Sequence, residues 1–184
     1  DLIEGLLEIS KIEAGRLELY RNRVRVRSLI DELVTMFQLQ AEEKGIGFEF
    51  HSQGRIPEWV TTDEKRLRQV LINLLSNAIK FTPEKGSVRI ETKIEKDGCM
   101  ALSVIDTGIG ISEHELEKVV EPFTQASSGL ARRHEGTGLG LYLVKSLVEE
   151  HGGSMTIDSR LGRGTVVTIR LPAERVLPVA AETP

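Results

Sequence analysis

The sequence predicts an α/β (α+β) fold, a two-layer sandwich in which one layer of helices covers one face of a mixed sheet. Three observations carry that expectation. Apolar residues repeat at helical spacing over Asp63 to Lys80 and again from about Leu139 to His151. Between and after these stretches run short apolar segments broken by Gly, Asp and Pro, as strands are. The order helix, strands, helix, strands then separates the two kinds of element into layers. A length of 184 residues suits one domain, or one domain with a piece of another.

Taken in order, residues 1–19 place Leu2, Ile3, Leu6, Leu7, Ile9, Ile12, Ala14 and Leu17 mostly three and four apart, a helical stripe that one helix cannot bury alone. Arg21, Arg23, Arg25 and Arg27 alternate with Val24 and Val26, a half-exposed strand with its basic residues outward, either solvated or a docking surface. A helix fits Ser28 to about Lys44, capped by Ser28 and closed by Gly45, and a short strand fits Gly47 to His51. Asp63 to Lys80 is the strongest helix, capped by Thr62 or Asp63 and stopped by Pro83. Strands Ser87 to Ile94 and Met100 to Ile105 flank the turn Lys96-Asp97-Gly98. A helix from Ser112 to about Val120, an irregular Pro122 to Gly136 segment and a helix from about Leu139 to His151 follow. Strands near Ser154 to Ser159 and Thr165 to Leu171 close the domain, and residues 172–184 read as a tail or linker.

Composition removes several functions. Hydrophobic residues are 40% and charged residues 28%, and no apolar run approaches the ~18 residues that cross a bilayer, so membrane-spanning, collagenous and disordered classes drop out. A net charge of -4 gives no electrostatic basis for binding nucleic acid or an anionic membrane. Cys99 is the lone cysteine, which excludes a disulfide frame and fits a reducing compartment. The chain opens on Asp1 without Met or a signal-like segment, so the expectation is a piece cut from a longer protein. Of the 17 glycines, ten fall between residues 108 and 164, which suggests backbone brought close to a ligand.

Three features bear chemistry. On the Asp63 to Lys80 helix, Gln69, Asn73, Asn77 and Lys80 share one face, apart from the apolar face of Leu67, Leu71, Leu74, Leu75 and Ala78. The stripe is either an ordinary polar face or a groove whose amide oxygens hold a hard cation such as Mg2+ and whose lysine meets phosphate. Asp106-Thr107-Gly108-Ile109-Gly110-Ile111 follows an apolar strand: either a capped turn, or a carboxylate accepting from an exocyclic amine while a flat ring lies on the glycines. Gly136-Thr137-Gly138-Leu139-Gly140-Leu141 opens an apolar helix, where free N–H groups and the dipole suit a phosphate chain. No Gly-Lys-Ser/Thr follows and the sixth residue is Leu141, so neither a P-loop nor a Rossmann fingerprint fits.

In this order and spacing, with Glu121-Pro122-Phe123 between the second and third, these features resemble the ATP-binding catalytic domain of sensor histidine kinases. That family is a branch of the GHKL superfamily, which holds DNA gyrase, the MutL repair proteins and the large heat-shock chaperone ATPases. The resemblance spans about residues 21–172. Asn73 to Pro83 is similar to the N box, Asp106 to Gly110 to the G1 box, Glu121-Pro122-Phe123 to the F box and Gly136 to Leu141 to the G2 box. Gly162-Arg163-Gly164-Thr165 matches the last glycine motif.

The resemblance implies a Bergerat-type ATP-binding fold. It implies that Asp106 meets the adenine amino group, with Thr165 nearby and Phe81 and Ile111 along the ring. Gly108 and Gly110 would serve the base, with Gly162 and Gly164 bordering the far wall of the pocket. Asn77 would hold Mg2+ against the phosphates, with Asn73 and Lys80 contacting them as the catalytic pair. Gly136, Thr137, Gly138, Leu139, Gly140 and Leu141 would serve phosphates and lid hinge. Pro122 to Glu135 would be the ATP lid, in which Arg132 and Arg133 either reach the γ-phosphate or are solvated.

Hydrolysing relatives carry a Glu general base one turn before the metal-binding Asn; here that position is Asn73, and an amide cannot take a proton from water. A neutral imidazole already offers a lone pair near pH 7 and needs no such base, so Asn73 favours phosphoryl transfer to His.

Residues 1–19 are similar to the second helix of the dimerisation and phosphoacceptor hairpin, residues 20–172 to the catalytic domain, and residues 173–184 are a tail. The hairpin helix with the phosphorylated His is not among these residues, and His114, His51, His134 and His151 have no acceptor context. The expected partners are therefore the hairpin of the same kinase, a response regulator receiver domain and a second copy in a full-length homodimer. The resemblance implies no contact with nucleic acid or membrane by this segment, and a cytoplasmic place even where the full protein is membrane-anchored. The alternatives are a GHKL-type ATPase or Ser kinase, and a nucleotide-dependent interaction module.

Overall fold

The computed structural model describes residues 2–124 and 137–177. Helix α1 (Leu2–Glu13) leads into β1 (Asn22–Arg25), α2 (Val26–Glu43), β2 (Gly47–Gln53) and β3 (Trp59–Thr62). Then come α3 (Glu64–Phe81), β4 (Ser87–Ile94), β5 (Met100–Asp106), the single turn α4 (Glu113–Leu116), α5 (Gly140–Glu150), β6 (Ser154–Arg160) and β7 (Gly164–Leu171). The five-stranded sheet has the order β2-β4-β5-β7-β6, with β2 parallel to β4 and every other pair antiparallel. One face carries α2, α3 and α5, and Leu33, Leu71, Leu75, Ile90, Leu102 and Ile169 meet between the layers. The expected α/β two-layer sandwich with a mixed sheet is the fold observed.

Local chemistry sets the ends of the helices. The Asp63 carboxylate accepts from the Arg66 N–H at 3.1 Å and caps α3, so Asp63 rather than Thr62 is the cap. At the other end Thr82 Oγ1 donates to the Ala78 carbonyl, and the Lys44 ammonium donates to the Ile79 and Lys80 carbonyls at 2.6 and 2.8 Å. Gly45 closes α2 with a positive φ of 66°: its N–H goes to Glu42 and that of Ile46 to Ala41, the paired closure that a left-handed residue permits.

Several expected boundaries move. Helix α1 stops at Glu13, because Gly15 at φ 61° makes the same closure; residues 16–21 form no helix or strand. Helix α2 begins at Val26, two residues before the expected Ser28 cap, with Arg25 at its N-cap and no side-chain cap. The basic strand therefore ends at Arg25, which lies over the Trp59 ring at 4.6 Å. Its partner β3 was not expected as a strand. The expected Ser112 to Val120 helix is one turn, Glu113–Leu116, and His114 on it is exposed. Residues expected to begin the tail are packed: Val176 bridges Val60, and the Leu177 N–H reaches the Trp59 carbonyl at 3.1 Å.

His151, at the end of α5, is buried. Its Nδ1 donates to the Leu147 carbonyl at 2.6 Å, and its Nε2 accepts from the Asp63 N–H at 3.4 Å, a pattern only the neutral ring can make. Burial, together with the nearby Arg175 and Arg21 cations, holds its pKa below the usual 6.5, while the Leu147 bond and Asp63 oppose this. A depressed histidine contributes stability that is present above 6.5 and lost as pH falls toward the folded value. Between pH 7.5 and 5.5 the wild type is expected to lose up to ~1.4 kcal/mol more than His151→Gln, measured by urea unfolding at each pH.

Candidate functional site

The sheet register places the centre of the site. Asp106 ends β5, between Val88 of β4 and Thr165 of β7. The Asp106 Oδ1 accepts from the Gly108 N–H at 2.8 Å and the Thr165 N–H at 3.2 Å. Burial pushes this carboxyl above the usual carboxylate range, and the two backbone donors pull against that rise.

In front of it lies a cavity of about 380 Å³ between α3, the loop after β5 and the start of α5, a size suited to a small organic ligand. Its apolar lining includes Val104, Ile111, Val119 and Val167, and Asp106 and Thr165, paired across β5 and β7, are polar groups on the same lining. Asn73, Asn77 and Lys80 of α3 and Thr137, Gly138 and Gly140 also line it, with Asn73 and Asn77 close to Gly140. An apolar slot with one carboxylate suits a ring bearing an amine, and amides with a lysine and a helix N-terminus suit phosphates.

The amide end is built by close approach. Gly140 is the first residue of α5, and a Cβ there would stand 3.6 Å from Asn77 Nδ2 and 4.0 Å from Asn73 Oδ1. Leu139 provides no side-chain cap, so the first N–H groups of this 11-residue helix are not capped by its own N-cap residue. Among the described residues neither Asn73 nor Asn77 has a hydrogen-bond partner for its side chain, and both line the cavity. The Lys80 ammonium lies 5.1 Å from the centre of the Phe81 ring. Among the described residues no group of three His, Cys, Asp or Glu side chains is placed to hold a metal. Asn73 and Asn77 bring amide oxygens to the cavity lining, a donor type that a hard cation such as Mg2+ accepts.

Most of the expected site residues meet at this cavity: Asn73, Asn77, Lys80, Phe81, Asp106, Gly110, Ile111, Thr137, Gly138, Gly140, Leu141 and Thr165. Four do not. Gly108 and Gly164 stand behind the wall because backbone fills the space of their missing Cβ: at Gly108 the Phe81 carbonyl at 2.6 Å, at Gly164 the Asp106 carbonyl. Gly162 also lies off the wall, its N–H on the Ile109 carbonyl at 2.7 Å. Leu139, at the N-cap of α5, is buried, with its side chain near Gly5 of α1. Gly110 lines the cavity but is also pressed against the Arg160 carbonyl, so its φ of 68° answers to the neighbouring hairpin.

Gln69 leaves the groove: its amide donates to Glu8 of α1, which also pairs with Arg66. Arg132, Arg133, Gly136 and His134, with most of the expected lid, lie outside the described residues.

Phe123 of the Glu-Pro-Phe box is exposed with φ 62°, and Gly138 sits against its backbone, 2.8 Å from where a Cβ would be. Val104, Val119, Thr124 and Val167 also line the cavity and were not expected there. For the two strand residues the signal was present, since Val104 lies two before Asp106 and Val167 two after Thr165, on the same faces.

Residues 62–175 match the model of the family described as histidine kinase-, DNA gyrase B-, and HSP90-like ATPase. The histidine protein kinase DivJ of Caulobacter vibrioides is 41% identical over 187 residues, covering 100% of this chain and 30% of its own length. The chain spans about a third, or less, of the curated relatives it matches. Among solved structures, full-length ShkA in complex with AMPPNP superposes at a TM-score of 0.82 with 30% identity, over 93% of this chain and 35% of that one. The histidine kinase ThkA in complex with the response regulator TrrA superposes at 0.72 with 27% identity, over 94% of this chain and 48% of that one.

Proposed function

Because this chain belongs to the histidine kinase-, DNA gyrase B-, and HSP90-like ATPase family, we propose that it is the ATP-binding catalytic part of a two-component sensor histidine kinase. It passes the γ-phosphoryl group of ATP to a histidine on a hairpin that these residues do not contain. The observation that carries the choice of transfer over hydrolysis is Asn73, an amide one helical turn before Asn77 on the cavity wall. An amide takes no proton from water, whereas an imidazole acceptor needs none removed first.

In this reading the apolar end takes adenine, with Asp106 accepting from its amino group. The α5 N-terminus, Gly138, Asn73 and Lys80 hold the phosphates, and Arg132 and Arg133 belong to the lid. Asn77 would hold Mg2+, which would supply neutralisation of the charge that develops during transfer. Residues 1–19 belong to the dimerisation hairpin, 20–172 to the nucleotide domain and 173–184 to its C-terminal extension. A receiver domain and a second copy are the partners of the whole protein, and ATP as substrate puts the segment in the cytoplasm. Support for the partners comes from relatives: ThkA is held by a response regulator in its complex.

Titration calorimetry with Mg-ADP tests the site, with one equivalent bound as the expected result and no heat of binding as the refutation. Incubation with ATP tests the chemistry. The chain alone is expected to gain no acid-labile phosphate and to release no free phosphate steadily, and to phosphorylate a histidine hairpin supplied separately. Steady phosphate release would make it an ATPase instead.

A further inference from the structure

Ser159, at the end of β6, lies behind the cavity and is 9% exposed. Its Oγ makes three contacts at once. It accepts from the Ile111 N–H at 2.8 Å, donates to the Gly164 carbonyl at 3.0 Å and lies 2.8 Å from Thr165 Oγ1. A hydroxyl has one proton and two lone pairs, so one arrangement satisfies all three. The Ser159 proton goes to Gly164, and its lone pairs receive the Ile111 N–H and the Thr165 O–H.

The Thr165 proton is thereby turned toward Ser159, which leaves the lone pairs of its oxygen as acceptors on a residue that lines the cavity. Beside it, Asp106 already receives two backbone N–H groups on Oδ1, which leaves its other oxygen as an acceptor. Asp106 and Thr165 thus offer two acceptors side by side on the cavity lining. The same serine anchors the loop after β5, since it holds Ile111 while the Gly162 N–H holds the Ile109 carbonyl.

We propose that Ser159 is a positioning residue that fixes Thr165 as an acceptor, and through it the preference for a purine with an amino group at C6 over one with an oxygen there. This rests on the reading of the cavity as a nucleotide site. A C6 amino group donates to such a pair of acceptors. A C6 oxygen would meet Thr165 lone pair to lone pair, until the hydroxyl is free to turn its proton outward.

The test is titration of ADP and of inosine diphosphate, which carries the C6 oxygen, into the wild type, Ser159→Ala and Thr165→Val, with thermal unfolding to confirm folding. Ser159→Ala is expected to weaken ADP about threefold to tenfold, the range for one neutral hydrogen bond, while inosine diphosphate holds or improves. Combined with Thr165→Val, Ser159→Ala should narrow the preference no further, and Thr165→Ser should keep it. Equal weakening of both nucleotides, an unchanged ratio or additive narrowing in the double variant overturns the proposal. Should Ser159→Ala not fold, Ser159→Cys, of similar size but a poor hydrogen-bonding group, must narrow the ratio in its place. A wild type that binds neither nucleotide refutes the nucleotide reading itself, whereas one that prefers ADP equally with and without Ser159 refutes this inference alone.

Discussion

Asp106→Asn is expected to lower affinity for ADP by ~1.5 to 3 kcal/mol, about tenfold to 150-fold, the range for a hydrogen bond to a charged group, without destabilising the unliganded chain. The asymmetry follows from the hydrogen bonds. Asp106 Oδ1 takes the Gly108 and Thr165 N–H groups, and an asparagine oxygen can keep both. Its NH2 group must then face the cavity, where a donor meets the donor of an adenine amino group.

Stability moves the other way. Burial raises the Asp106 pKa above 3.8, so its folded-state gain is present below 3.8 and lost as pH rises through the raised value; at neutral pH the buried charge weakens the fold. Asparagine is never charged and removes that penalty. The same shift predicts that wild-type ADP affinity declines on acidification beginning above the ordinary carboxylate range, and that Asp106→Asn shows no such decline. Calorimetry at pH 7 and 5, with urea unfolding of both chains, checks each part; affinity within twofold of the wild type at pH 7 would refute the adenine assignment.

What the sequence made legible was local. Helix α3 could be seen because its apolar period, the Asp63 cap and Pro83 all act within one segment. Asp106 could be seen because an apolar strand ends in Asp-Thr-Gly. What stayed hidden depends on contacts between distant segments. The four residues Trp59–Thr62 form a strand only because Asn22–Arg25, far earlier in the chain, supplies their partners. Helix α2 overrides a serviceable cap at Ser28 because Val26 is wholly buried and belongs to the core.

The glycines show the same limit. A missing side chain at 108 and 164 was legible, but the space is taken by the Phe81 and Asp106 carbonyls, so these residues shape the backbone around Asp106. Gln69 shares a helix face with Asn73, and only the docking of α1, with Glu8 on its amide, removes it from the groove. Periodicity fixes a residue's face, while its neighbour is set by the tertiary arrangement.

Asn77→Ala is expected to slow phosphoryl transfer to a supplied hairpin by about 100-fold or more, since a metal at the phosphates contributes several kcal/mol to stabilising the transition state. Asn77 lines the cavity one turn beyond Asn73, with its Nδ2 3.6 Å from the place of a Gly140 Cβ. Among the described residues no cluster of acidic or imidazole side chains offers Mg2+ another seat. Loss of that oxygen should remove the hold of Asn77 on the metal. Alanine favours the helix and fills no new space, so the fold should survive.

The distinguishing measurement is ADP affinity with Mg2+ and with EDTA. In the wild type Mg2+ should tighten binding, because Asn77 would hold the ion that accompanies the phosphates. In Asn77→Ala the two affinities should converge on the wild-type value in EDTA, with adenine still held at Asp106. Asn73→Ala, which leaves the metal oxygen in place, should keep the Mg2+ effect. If Asn77→Ala retains the full Mg2+ enhancement, the metal is held by other groups and the assignment of Asn77 fails, although the adenine end tested through Asp106 would stand.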